Sequence, residues 1–182
     1  MGKKKSLSEL DRLSVADFRA APKVPLSLFL DDIRSANNVG SIFRTADCFA
    51  LQHLYLCGIT PRPPHRDILK TALGATGSIS WSYHEDILLA ITQVQADEGM
   101  SIFGLEQAEG SVPLRRVQLK PNKPVGLIVG NEVNGVRQEA IDLCNGCIEI
   151  EQYGTKHSLN VAVATGLAAY ELSGQLRARA PE

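Results

Sequence analysis

A small number of side chains in this sequence have types and spacings suited to chemistry. Gly130-Asn131-Glu132-Val133-Asn134-Gly135 has the glycine spacing that begins a phosphate-binding loop. Val136 and Arg137 stand where that motif needs Lys and Ser or Thr, so phosphate cradling of that kind is excluded. No glycine fingerprint of a dinucleotide fold follows the first strand-like run. His53, His65, His84 and His157 lack metal-ligand spacing, and Ser158 beside His157 sits in no nucleophile elbow. One arginine stands apart. Within Asn38-Val-Gly-Ser-Ile-Phe-Arg44-Thr-Ala, apolar residues Val39, Ile42, Phe43 and Ala46 recur at helical spacing, while the opposite face carries Ser41, Arg44, Thr45 and Cys48. A solvated face normally shows several long charged side chains. A single guanidinium among small residues predicts close packing against something, with Arg44 exposed to it.

The elements that must hold these residues follow from hydrophobic patterning. LSLFLDD, HLYLCG, ISWSY, SIFGLEQ, VGLIVG and CIEIEQ read as strands, and helical periodicity separates most of them. Asn37 or Asn38 is the expected cap of the helix that carries Arg44, and residues 6–20 are expected to form a short helix capped by Ser6 or Ser8, with Leu7, Leu10, Leu13 and Phe18 inward. VRQEAIDLC places Val136, Ala140, Leu143 and Cys144 on one face. PLRRVQLKPNKP is a loop with room for one short edge strand. Alternating strands and helices give an α/β fold, a mostly parallel sheet with helices on both faces. The loops after VGLIVG and CIEIEQ then sit together at the carboxyl edge of the sheet, where such folds bind ligands. The last helix, VAVATGLAAYEL, has one charge in its length. Its apolar circumference predicts burial on all sides, and a partner subunit is the simplest cover.

Composition narrows the class. One domain of 182 residues is expected, with 1–24 as a short N-terminal extension and a core over about 25–172. At 44% hydrophobic and 21% charged, the composition is that of an ordinary globular protein, and the apolar runs are too short for a membrane helix. The lysines near the N-terminus precede no apolar run, so no secretory signal is read there. Four cysteines are too few for a disulfide scaffold, and Cys144 and Cys147 lack the second pair a zinc site needs, which favours packing in a reduced, cytoplasmic protein. Net charge is −1, so nucleic-acid binding would rest on local basic patches.

Three stretches taken together carry a resemblance: Asn38-V-G-S-I-F-Arg44-T-A, Gly130-N-Glu132-V-N-Gly135-V and Ser158-L-Asn160-V-A-V-A. Their order, spacing and placement at helix starts resemble the SpoU (TrmH-like) family of RNA ribose 2′-O-methyltransferases, in the SPOUT superfamily, over about Pro25 to Leu172. The resemblance implies a C-terminal deep trefoil knot, S-adenosyl-L-methionine as methyl donor bound in that knot, no metal, and a homodimer with the site at the subunit interface. It also implies roles. Arg44 lies at the reacting hydroxyl, and Asn38, Ser158 and Asn160 orient Arg44 or the nucleotide. Glu132 holds its loop in shape or neutralises Arg44 across the interface. Leu105, Gly130, Asn131, Ile150 and Leu159 lie at the donor. A guanidinium is a poor base, so Arg44 is expected to fix the ribose-phosphate and stabilise the oxyanion electrostatically. With little chain ahead of the core, tRNA is favoured over rRNA. A knotted RNA-binding protein without catalysis and a base-methylating relative are the alternatives. The joint presence of Asn38, Arg44, Glu132, Ser158 and Asn160 favours the ribose methyltransferase.

Overall fold

A computed structural model describes residues 2–6, 8–120 and 123–177. Seven strands, β1 (Val24–Asp31), β2 (Leu51–Cys57), β3 (Trp81–His84), β4 (Ser101–Leu105), β5 (Val112–Pro113), β6 (Val125–Val129) and β7 (Gly146–Glu149), form one sheet in the order β3-β2-β1-β6-β4-β7-β5. Every pairing is parallel. The chain lays β1, β2 and β3 outward in one direction and puts β4 on the other side of the centre. β6 arrives later and fills the gap between β1 and β4. The carboxyl end of β6 therefore opens at the switch point of the sheet, where the crevice of such folds lies.

Period-two alternation assigns the faces. Leu26, Leu28 and Leu30 of β1 point to a core shared with α2 (Ala36–Cys48), α3 (Arg66–Ala72) and α6 (Val161–Arg177). Phe29, between them, points to the opposite core with α4 (Ile87–Glu98) and α5 (Gln138–Asp142). Both faces of β1 are covered, so its sequence reads as a continuous apolar run. Val39, Ile42, Phe43 and Ala46 are buried on α2 as their spacing requires.

Several local expectations are corrected. Ser35, not Asn37 or Asn38, caps α2: its hydroxyl accepts from the Asn38 amide, which leaves the Asn38 side chain free for other work. The N-terminal segment forms a 3-10 turn, Ser8–Leu10, and a separate helix, α1 (Val15–Ala20), capped by Ser14. Leu10 and Leu13 are exposed there, Phe18 alone packs on the core, and Leu7 lies outside the described residues. Leu143 is exposed after α5, because the helix ends one residue earlier at Asp142. On α6, Ala168, Ala169, Leu172 and Leu176 enter the core, whereas Val163, Leu167 and Tyr170 are exposed on one stripe. A single chain covers only one side of this helix. Among the described residues no helix is long and apolar enough to cross a membrane.

Candidate active site

The loop after β6 is built by its glycines. A Cβ at Gly130 would meet the Gly135 carbonyl carbon and the Val136 nitrogen at 2.2 Å, so only glycine lets the loop close on itself. The Asn131 and Gly135 backbones exchange hydrogen bonds of 3.0 and 2.9 Å. Asn131 Oδ1 accepts from the amides of Val133 and Asn134, and its Nδ2 donates to the Asp32 carbonyl at 2.7 Å. The Asn131 side chain is thus engaged within the loop and just beyond the end of β1, and it reaches the cleft as part of the loop wall.

Three further anchors hold the loop. Glu132 reaches across to the start of α2, where its carboxylate accepts from the amides of Arg34 (2.8 Å) and Ser35 (3.0 Å) and from Asn38 Nδ2 (2.8 Å). A carboxylate at a helix N-terminus satisfies orphan donors and complements the helix dipole. Burial pushes the Glu132 carboxyl up, but the hydrogen bonds from the Arg34 amide, the Asn38 side chain and the Glu132 and Ser35 amides together outweigh it and hold the group below its ordinary value. Glu106, at the end of β4, accepts from the Val136 amide at 2.9 Å. Gly135, at φ +68°, makes room for it, since a Cβ there would lie 2.2 Å from Glu106 Oε2. Arg137 closes the loop on β1, with Nη2 2.8 Å from Asp31 Oδ1 and 2.9 Å from Asp32 Oδ2, and Nε 3.2 Å from Asp31 Oδ2. Asp31 is only 2% exposed. Burial raises its carboxyl above the ordinary value, and Arg137 offsets part of that rise.

The third motif joins the same network. Asn160 caps α6, its Oδ1 accepting from the amides of Ala162 (2.9 Å) and Val163 (3.3 Å), while its Nδ2 donates to Asn38 Oδ1 at 3.1 Å. One asparagine side chain, Asn38, therefore bridges the glycine loop and the start of the last helix. Gln107 ties the approach to that helix, donating to the His157 carbonyl at 2.8 Å.

These contacts line a cleft of about 740 Å³ at the carboxyl edge of β4, β6 and β7. Leu105, Gly130, Asn131, Ile150 and Leu159 all reach it, together with Glu132, Ser158 and Asn160. The expected donor residues are brought together. Arg44 is not with them. It lies six residues beyond Asn38 on α2, about 9 Å further along the helix and about 120° around it. It opens on a separate cleft lined by Ser41, Arg44, Thr45, Cys48, Phe49, Lys70, Thr71, Leu73 and Gly166. Within one chain Asn38 and Asn160 bond to each other rather than to Arg44, and Glu132 faces α2 instead of the guanidinium. The small-residue face of α2 does border a cavity, as its composition suggests. Glu106, Arg137, Asp31 and Gln107 escaped the sequence reading. The available signal was an acidic residue at the carboxyl end of each of two core strands, Asp31 closing β1 and Glu106 following β4. Cys144 and Cys147 both pack near Gly104, and burial raises both thiols, Cys144 to about 12. Among the described residues no group of three or more His, Cys, Asp or Glu side chains is placed to hold a metal ion.

A parallel sheet with a glycine loop at its switch point, bonded through an asparagine to α2 and to the last helix, defines an α/β fold with its candidate site at the carboxyl edge. The chain belongs to the SpoU rRNA Methylase family, whose model matches residues 25–170. It is 32% identical over 155 residues to the tRNA (guanosine(18)-2′-O)-methyltransferase of Aquifex aeolicus, covering 82% of this chain and 69% of that one. It is 29% identical over 152 residues to the 23S rRNA (guanosine-2′-O-)-methyltransferase RlmB of Xanthomonas axonopodis pv. citri, covering 84% of this chain and 59% of the relative. The AdoMet-bound rRNA methyltransferase from Sinorhizobium meliloti superposes with a TM-score of 0.77 at 28% identity, covering 91% of this chain and 61% of that one.

Proposed function

We propose that this chain transfers the methyl group of S-adenosylmethionine to the 2′-hydroxyl of an RNA ribose, with tRNA favoured over rRNA as substrate. The observation that carries this reading is the Glu132–Asn38–Asn160 chain of hydrogen bonds, which locks three sequence motifs around one cleft. The cleft suits the donor in size, and its walls at Leu105, Gly130, Ile150 and Leu159 lie at strand ends and loops. The donor supplies a methyl carbon already activated by a sulfonium, so the reaction asks for no metal.

The chain's own task is the acceptor oxygen. A ribose hydroxyl is a poor nucleophile until its proton leaves or its developing charge is stabilised. Arg44 is the catalytic residue in this reading. It is exposed in its cleft and has no hydrogen-bond or ion-pair partner among the described residues. A guanidinium held ready for a developing oxyanion lowers the barrier without exchanging a proton itself; the hydroxyl proton passes to an RNA phosphate or water as the methyl group moves from the sulfonium to the oxygen, leaving the thioether. Asn38, Glu132 and Asn160 act as positioning residues, fixing the start of α2 and hence the helix that carries Arg44. Ser158 borders the cleft beside them.

Two subunits complete the site. Val163, Leu167 and Tyr170 leave an apolar stripe on α6, next to the cleft that holds Arg44 and Gly166. A homodimer through this stripe would bring Arg44 of one copy toward the donor cleft of the other, accounting for their separation within a chain. In the same reading, residues 25–172 are the methyltransferase unit, the chain acts in the cytoplasm, and the segment from β6 to α6 forms the trefoil knot. The insertion of β6 between β1 and β4 supports a threaded path. Incubation with labelled S-adenosylmethionine and separate tRNA and rRNA fractions, followed by mapping of the modified nucleotide, tests the function. Ribose methylation of one nucleotide is the expected result. Donor binding with no RNA product would favour a knotted RNA-binding protein.

A further inference from the structure

The cleft that holds Arg44 contains a second cation with no assigned role. Lys70 lies on α3 and lines the same cavity of about 660 Å³, whose other polar side chains belong to Ser41, Thr45, Cys48 and Thr71. No carboxylate lines it. Neither Arg44 nor Lys70 takes part in an ion pair among the described residues. The hydroxyls of Ser41 and Thr71 are turned to backbone, donating to the Asn37 carbonyl at 2.9 and 3.1 Å, so the two cations are the charged donors that face the cavity.

This pairing is built in by packing. Gly40 lies where α2 crosses α3, and a Cβ on it would meet Thr71 Oγ1 at 2.0 Å and the Ile68 carbonyl oxygen at 2.5 Å. Glycine lets the two helices approach until Lys70 and Arg44 share one cavity. Two exposed cations line one cavity that no carboxylate lines. The arrangement fits a site that takes an anion.

We infer that Lys70 binds a backbone phosphate of the substrate RNA, on the strand that delivers the target ribose to Arg44. Lysine suits this role as a mobile point charge with three donors, while the planar guanidinium is kept for the reacting sugar. The inference rests on the RNA methyltransferase reading and adds a contact to it. The contact is to the backbone, so it carries affinity and register and no base preference. The adjoining α3 residues Arg66 and Leu69 are exposed and leave the approach to Lys70 open.

The test compares RNA binding and methylation by the full chain carrying Lys70→Gln or Lys70→Arg with wild type, over a series of salt concentrations. Lys70→Gln is expected to weaken RNA binding about five- to tenfold and to lower the salt slope by about 0.7, the loss of one phosphate contact on a single strand. Lys70→Arg is expected to restore both, and donor affinity measured by calorimetry should stay at the wild-type value. Unchanged RNA affinity in Lys70→Gln, or a loss with no change in salt slope, would overturn the assignment. An arm with inorganic phosphate at constant ionic strength separates the two sources of anion. Phosphate binding that disappears in Lys70→Gln while RNA affinity persists marks a free-anion site and also overturns it. Wild-type protein that methylates no RNA would refute the functional reading instead, while the binding comparison still decides the role of Lys70.

Discussion

Asn38 Nδ2 lies 2.8 Å from Glu132 Oε1, and this bond joins the first helix of the site to the glycine loop after β6. The same carboxylate takes the Arg34 and Ser35 amides, so a single side chain sets both the loop and the start of α2. Glu132→Ala should leave those donors unpaired and cost about 1–3 kcal/mol of stability. Methyl transfer should fall at least tenfold, because Arg44 rides on the helix that loses its anchor. Thermal unfolding and single-turnover methylation measure the two effects.

The charge of Glu132 also predicts an acid limb. Its folded pKa lies below the ordinary 4.5, so its stabilisation is complete above that value and is lost as pH falls through the folded value. In Glu132→Gln that contribution is absent, and the difference in stability between wild type and variant should shrink as the pH drops below about 4.5. A difference that grows toward acid would show that the carboxylate is not stabilised by these bonds.

Arg137 is expected to matter for a different reason. It is the ion-pair partner of Asp31, a carboxylate buried to 2% exposure, at 2.8 Å. Arg137→Ala leaves that carboxylate uncompensated and should destabilise the fold by about 3 kcal/mol. The donor loop is tied to β1 by the same pair, so donor affinity should fall as well. Denaturant unfolding beside donor titration checks both. Asp31→Asn with Arg137→Gln, which removes both charges together, should recover much of the stability.

How much of this was legible in the sequence can be judged residue by residue. The apolar run of β1 and the period-two and helical patterns gave the alternating α/β architecture, because burial of a strand or helix face is a local property of its spacing. Gly130 and Gly135 were read as part of a ligand-binding loop from their place after a strand-like run and from the family resemblance, while Val136 and Arg137 beside them argued against a phosphate loop. The strand order was not legible: β6 pairs with β1 across about a hundred residues, and periodicity carries no information on which strands become neighbours. The same limit hid Glu106 and the Asp31–Arg137 pair, whose partners are distant in the chain. Ser35 was passed over as the cap of α2 because two asparagines nearby were equally good candidates by residue type. Asn38 could be given a bridging role only once its partners were known.

The exposed stripe on α6 predicts the outcome of a dimer test. Leu167→Glu places a charge on the outward face, so the variant should remain folded and sediment as a monomer with little methylation. Ala168 is fully buried within its own chain, so a charge there should unfold the subunit rather than separate two of them. A wild type that sediments as a monomer would remove the stripe as an interface.

Single-turnover methylation by Arg44→Ala, measured beside donor affinity, tests the central claim most directly. Arg44 is exposed and lines a cleft separate from the one assigned to the donor, so its truncation should cost little stability and leave donor binding near wild type. An interaction made mainly in the transition state should lower turnover by a factor of about 100 or more. Arg44→Lys, which keeps the charge and loses the planar fork, should also be slow. Methylation by Arg44→Ala at close to the wild-type rate would contradict the account, and Arg44 would then be a surface arginine beside an unrelated cavity.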